Sequence, residues 1–168
     1  AILGGIFYSE GPLPVSSTPF GELLVALLMG PIEIVSADLA ASGRVSSLAF
    51  VVSIPVGLMV AAILLTNNLR DIDKDRSRGR RTLAVLIGRR SGANLLLIML
   101  VLTFLWTIPA FALFAISASV FLIWLAFPIA LQSYYRIIHG GWSRSVVLIS
   151  RVHVLVGTLL TISLLVHL

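Results

Sequence analysis

The sequence predicts an all-α, multi-pass transmembrane helical bundle with about five full spans and the end of one more. Three observations predict it. Of 168 residues, 58% are hydrophobic and only 11% charged, where an ordinary soluble domain carries about 25% charged residues. Several apolar segments exceed the roughly 20 residues a helix needs to cross about 30 Å of hydrocarbon. They lack the strict alternation of a membrane β-barrel, so helices must satisfy the backbone.

Taken in order, Ala1–Tyr8 has neither the basic leader nor the cleavage pattern of a signal peptide. It reads as the tail of a membrane helix that begins upstream, so the chain is expected to be a piece of a larger protein. The Gly, Pro and Ser content of Ser9–Pro19 marks a loop. A first full span is expected near Phe20–Ala40, ended by Gly43 and Arg44. A second covers Ser47–Thr66, with Pro55 and Gly57 inside it as a candidate kink. From Ser91 to Tyr135 no residue is charged. One helix of that length would reach about 67 Å, twice the hydrocarbon thickness. Two spans folded back around Trp106–Phe111, where Pro109 sits, are expected instead. A last span covers Val146–Leu168.

Charge placement orients the bundle. Eight of the twelve Lys and Arg fall between Arg70 and Arg90, beside membrane spans, which points to lipid headgroups or a phosphorylated ligand rather than nucleic acid. With this loop in the cytoplasm of a cell (inner or plasma) membrane, alternation places Arg136 and Arg144 inside as well. Ten cations then lie inside and only Arg44 outside, with Arg151 within a span. The absence of cysteine excludes disulfides and thiolate chemistry.

The segment NNLRDIDKDRSRGRR (Asn67–Arg81) packs three carboxylates and six cations between Arg70 and Arg81. Asp71 and Asp75 are four apart, hence on one face of a helix, with Asn67 and Asn68 a turn before them on the same side. Asp73 points away. Two carboxylates about 5–6 Å apart repel by roughly 3 kcal/mol at an effective dielectric of 20. Mg²⁺ would remove that repulsion, since it takes one or two carboxylates plus phosphate oxygens and water. Arg70, Lys74, Arg76, Arg78, Arg80 and Arg81 surround this face, and the planar guanidinium fork suits phosphate oxygens. The pattern fits a metal–diphosphate site; it also fits a solvated, topology-setting loop. An EF-hand is excluded by Arg76 and Thr82 at its sixth and twelfth positions, and no Walker-type phosphate loop occurs.

The segment resembles the second aspartate-rich motif of the UbiA superfamily of intramembrane aromatic prenyltransferases, carried here by Asp71, Asp75, Gly79, Arg80-Arg81, Thr82 and Leu83. Asn67, Asn68 and Arg70, the tail Thr82–Gly88, Tyr8–Pro12 and Gly30-Pro31 are most similar to the 1,4-dihydroxy-2-naphthoate branch, of the menaquinone pathway. The resemblance implies a single UbiA-type domain of nine helices, of which residues 1–168 form the C-terminal part. A first aspartate-rich motif of the family has no counterpart here. It also implies Mg²⁺-dependent transfer of a polyprenyl group from polyprenyl diphosphate to an aromatic acceptor. Asp71 and Asp75 would hold the metal, and Asn68, Arg70, Arg76, Arg80 and Arg81 the diphosphate, with Asn67, Asp73 and Lys74 nearby. The rival acceptors are a hydroxybenzoate, a homogentisate or a tetrapyrrole. A rival of another class is a non-catalytic membrane protein, such as part of a transporter.

Other polar residues receive plainer readings. Glu33 and Asp38 lie within the first span, where an acid is a functional candidate by default, though Asp38 is near the outer interface. Glu10 sits on a loop that caps the site in the family the chain resembles. Arg151 and His153 are expected to snorkel to the headgroups. His139 and His167 show no ligand spacing. Trp106, Trp124, Trp142, Tyr134 and Tyr135 read as interfacial or packing aromatics. The orientation is open to test, because single cysteines label cleanly in a chain that has none. Ser77→Cys should react with a membrane-impermeant thiol reagent only from the cytoplasmic face, and labelling from outside would reverse the topology.

Overall fold

The computed structural model describes residues 14–114 and 116–167. The expectations for Ala1–Tyr8, Glu10, Tyr8–Pro12 and Leu168 lie outside the described residues. Five helical stretches are long and apolar enough to cross a membrane: Gly21–Ser42, Ser47–Arg70, Leu83–Phe114, Ala118–Ile138 and Trp142–Val166. They are built from helices we number α1 (Gly21–Ser42), α2 (Ser47–Arg70), α3 (Ile72–Ser77), α4 (Leu83–Leu105), α5 (Thr107–Phe114), α6 (Phe127–Ile138) and α7 (Trp142–His167). No strand occurs among the described residues. The chain is an integral membrane helical bundle.

Each boundary has a local cause. Gly43, at φ 72°, ends α1 in the left-handed conformation that glycine adopts without penalty. The Asp38 carboxylate then accepts from the Ser46 N–H at 2.8 Å, closing the short turn into α2. Ser46 caps α2 by accepting from Ala49 N–H, and Thr82 caps α4 by accepting from Val85 N–H. Gly88, at φ 77° and ψ 171°, breaks α4 early, so its long straight part begins at Arg89.

The second span is the hub. In its most apolar stretch 56% of residues are buried within the bundle, against 6% for the first span, so α2 is packed on its neighbours while most of α1's surface is left exposed among the described residues. Where α1 crosses it, backbones touch. A Cβ on Gly57 would stand 2.6 Å from the Ala26 carbonyl oxygen, and one on Gly30 2.9 Å from the Gly57 Cα. This small-residue crossing is what helix packing in lipid favours. A π turn over Leu28–Ile32, with Pro31 in it, offsets α1 just there. Elsewhere hydroxyls join the helices. Ser133 and Ser145 each donate to the other's carbonyl, at 3.1 and 3.3 Å, tying α6 to α7. Trp124 donates to Thr107 Oγ1 and packs with Phe104 and Phe127.

Two expectations need correcting. The long uncharged stretch does not turn around Trp106–Phe111. The helix bends at Trp106 and continues as α5 to Phe114, and the chain reverses only before Ala118. Pro109 falls in the first turn of α5, where its missing N–H costs little; Trp106 is buried, the packing alternative of its two readings. The next span then opens with a nine-residue 3₁₀ segment, Ala118–Ala126. His153 does not snorkel either: it lies eleven residues into α7, with a buried Nδ1.

The Gly57 crossing gives a stability test. Gly57→Val should destabilise the α1–α2 pair by about 1–3 kcal/mol, the range for overpacking. Gly157→Ala, with nothing within 4 Å of the added Cβ, should be near neutral. Reversible unfolding in mixed micelles measures both.

Candidate functional site

The polar residues meet where α2 ends. Its last turn carries Asn67, Asn68 and Arg70, and Asp71, at φ −94° and ψ 10°, breaks the helix before α3 begins at Ile72. The uninterrupted helix expected through Asn67–Asp75 is therefore two helices joined at Asp71. One link of helical spacing survives, since the Asp75 N–H donates to the Asp71 carbonyl at 2.9 Å. Each carboxylate nonetheless faces its own guanidinium.

Asp71 accepts from its neighbour Arg70 at 2.7 and 3.0 Å, a two-pronged contact. That hydrogen bond holds its carboxyl below the ordinary carboxylate range, against a smaller opposing effect of burial. Asp75 is 2% exposed, and its Oδ1 accepts from Arg80 Nη1 at 2.8 Å. Its Oδ2 is buried with no partner among the described residues.

The segment after Asp75 folds for identifiable reasons. Gly79, at φ 71°, lets the chain reverse. The Gly79 N–H then donates to Arg76 O at 3.1 Å and the Arg80 N–H to Asp75 O at 3.0 Å, which together make a Schellman cap. That cap throws the Arg80 side chain back on the Asp75 carboxylate. Arg80 also donates to Ser17 Oγ at 3.2 Å and Ser16 O at 2.6 Å, and the Arg81 N–H donates to Ser17 O at 2.9 Å. The loop before α1 is thereby fastened to the aspartate segment. Lys74, Arg76, Arg78 and Arg81 remain exposed and form no ion pair among the described residues.

Asn68 turns away from the aspartates. Its Nδ2 donates at 2.9 Å to Oε1 of Glu22, at the start of α1. Glu22 is 2% exposed, and its Oε2 has no partner among the described residues. Sequence reading passed over Glu22, although the rule that singles out Glu33 applies to it equally; its contact, 46 positions away, leaves no spacing signal. Arg89 was missed as well. It donates to the Leu69 carbonyl at 3.0 Å, capping the C-terminus of α2, and to Asp73 at 2.7 Å. Asp73 thus points away from the other aspartates, as its spacing implies. Asn67 is half-buried and makes no side-chain hydrogen bond among the described residues. Glu33 and His153 are remote from this cluster and line a separate cavity of about 380 Å³.

No group of three potential metal-ligating acids or histidines stands together among the described residues. What they offer is partial: a buried aspartate oxygen without a partner, an ionised Asp71 and a fringe of free cations. Magnesium asks for no more from one side of a site when phosphate oxygens and water fill the rest.

An all-helical membrane bundle with an acid–arginine turn at one membrane edge defines the class. The UbiA prenyltransferase family profile matches residues 1–165, and the chain belongs to this family. It is 33% identical over 129 residues to 1,4-dihydroxy-2-naphthoate octaprenyltransferase of Bacillus subtilis (strain 168), covering 77% of this chain and 42% of that protein. It is 32% identical over 127 residues to a UbiA prenyltransferase domain-containing protein 1 homolog of Drosophila melanogaster, covering 76% and 33%. Against the human UbiA prenyltransferase domain-containing protein 1 the figures are 35% over 86 residues, covering 51% and 25%. The chain thus spans less than half the length of these relatives. No solved structure matches.

The Arg80 contacts yield a prediction. Arg80→Ala strands the buried Asp75 charge, and removing one partner of a buried pair costs about 3–5 kcal/mol; the partial exposure of Arg80 puts the expected loss at the low end. Because Arg80 also fastens the loop, amide exchange at Arg81 should speed up by more than at Val85. Unchanged exchange at Arg81 would show that the loop is held by other means.

Proposed function

We propose that this chain supplies one wall of the catalytic site of a polyprenyl transferase, acting on 1,4-dihydroxy-2-naphthoate with loss of its carboxyl group, as in menaquinone biosynthesis. The observation that carries this reading is the Asp75–Gly79–Arg80 turn, which presents a buried, unpartnered carboxylate oxygen beside a fixed guanidinium. The family membership and the naphthoate-acting Bacillus relative support it.

In this reading Asp75 and Asp71 hold Mg²⁺, which when bound neutralises charge on the leaving diphosphate. Arg70, Arg76, Arg80 and Arg81 bind the diphosphate, with Lys74 at the rim. As the C–O bond to diphosphate breaks, negative charge grows on the bridging oxygen; Arg70 and Arg80, already held by their carboxylates, stabilise it without reorganising, and the exposed Arg76 and Arg81 close on it from solvent. The allylic cation left behind is attacked by the ring carbon of the acceptor, which gives up its carboxyl group as CO₂. The apolar wall of α2 beneath Asn68 excludes water that would quench the cation. Asn68, held by Glu22, stands at the top of that wall. The aspartate segment faces the cytoplasm, where the diphosphate and the acceptor are supplied, while the prenyl tail stays in the bilayer.

Asp71→Ala and Asp75→Ala in the complete enzyme should each lower Mg²⁺-dependent turnover by about a hundredfold or more, the scale of losing several kcal/mol of charge stabilisation. Asp73→Ala, whose carboxylate is spent on Arg89, should be milder. Equal activity in all three would reduce the segment to solvated charge. Because no three acids or histidines among the described residues stand close enough together to hold a metal ion, residues 1–168 reconstituted alone should show no turnover above a metal-free blank.

A further inference from the structure

A cavity with a basic rim lies apart from the aspartate turn and is bordered by Arg89. It measures about 570 Å³ and is lined by Arg89, Arg90, Asn94, Tyr134, Trp142 and the apolar Ala93, Ile137 and Ile138. No carboxylate lines it. These residues come from the beginning of the straight part of α4, the end of α6 and the beginning of α7. Three span ends therefore meet at one membrane edge, the edge that also carries Asp71–Arg81.

The donors there are not equivalent. Arg89 is spent: both its terminal nitrogens are hydrogen-bonded and its guanidinium lies 4.9 Å above the Trp142 ring. It contributes positive potential and a rigid wall. Arg90, Asn94 and the Tyr134 hydroxyl make no side-chain hydrogen bond among the described residues, and Arg90 forms no ion pair there. Arg90 and Asn94 are four apart on one helix, hence on one face. A guanidinium, an amide and a phenol hydroxyl thus border one concavity that no acid neutralises.

The rest of the lining is apolar, and Leu131, about a turn deeper than Tyr134 on α6, is 44% exposed, so an apolar surface continues from the cavity along α6. Its volume falls in the range of sites that hold small organic ligands. A basic pocket between helices, at headgroup depth and continuous with the lipid-facing wall, is the arrangement that retains an anionic headgroup.

We propose that this cavity is a phosphate-binding site at the membrane edge, occupied by the headgroup of an anionic phospholipid whose chains run along α6 past Leu131. Arg90 contacts the phosphate, Asn94 and Tyr134 donate to its oxygens, and Trp142 closes the rim. The site is separate from the proposed diphosphate site and does not depend on it. Arg89 stands between the two, on Asp73 at one side and Trp142 at the other.

The test places the protein in phosphatidylcholine nanodiscs and titrates phosphatidylglycerol or, separately, inorganic phosphate, with retained ligand read by native mass spectrometry. Arg90→Gln should weaken phosphatidylglycerol retention about fivefold, what one cation at a membrane surface contributes. Tyr134→Phe should weaken it less, and Arg44→Gln, at the other end of the α1–α2 pair, not at all. Arg90-dependent retention of the lipid alone assigns the site to a headgroup, and Arg90-dependent uptake of both ligands assigns it to phosphate itself. The proposal is overturned if neither ligand is retained, if Arg90→Gln matches the unmodified protein with both, or if Arg44→Gln weakens retention as much as Arg90→Gln.

Discussion

A buried aspartate at the edge of a membrane bundle cannot stay charged alone, and the ion pair of Asp75 with Arg80 is the contact on which the surrounding structure depends. Isolated burial of a carboxylate costs several kcal/mol even after relaxation, so the cation must be brought to it and held. Gly79 does the bringing, because its left-handed φ closes α3 in a cap that returns the chain toward Asp75. Ser16 and Ser17 do the holding, by accepting from the remaining Arg80 nitrogens. Thr82 then starts the next helix with its own side-chain cap. Asp75, Gly79, Arg80 and Thr82 are thus one mechanical device, and their spacing is set by that cap and by the start of α4.

The device leaves something over. One oxygen of Asp75 and one of Glu22 are buried without a partner among the described residues, and each such group costs roughly 1–3 kcal/mol. A structure tuned only for stability would have satisfied them or replaced them with apolar residues. They lie on either side of the α2 terminus, one on the turn beyond it and one held to it through Asn68. Unspent acceptors beside exposed arginines are what a site for a metal-bound anion requires.

How far the sequence discloses this depends on the kind of signal. The spans were legible because twenty apolar residues in a row have few alternatives in water or lipid, and the dense charge after Thr66 could only lie at a membrane edge. Turn positions were less so. Pro109 reads as a breaker, but tertiary packing sets it in the first turn of a helix, where proline is harmless. The break at Asp71 was hidden because Asp71–Asp75 spacing survives it. Side-chain partners were least legible: Asn68 meets Glu22, and Arg89 meets Asp73 and Trp142, across separations that no periodicity records.

The two acids of the first span show how packing assigns such partners. Glu22 and Glu33 are eleven residues apart, and on a regular α-helix that spacing returns to within about 20° of the same face. Both would then point at α2, and the bundle would have to bury two carboxylates on one helix contact. The π turn at Leu28–Ile32 intervenes. An extra residue in one turn rotates the later half of the helix by about 100° relative to the earlier half. Glu22 therefore stays on the line of contact, where the Gly30–Gly57 crossing pulls α1 against α2 and delivers it to Asn68. Glu33 instead comes to border a cavity beside the crossing, lined also by Val56 and Val60 of α2 and by His153. Close approach of two glycines and one wide turn thus decide which acid joins the candidate site and which does not.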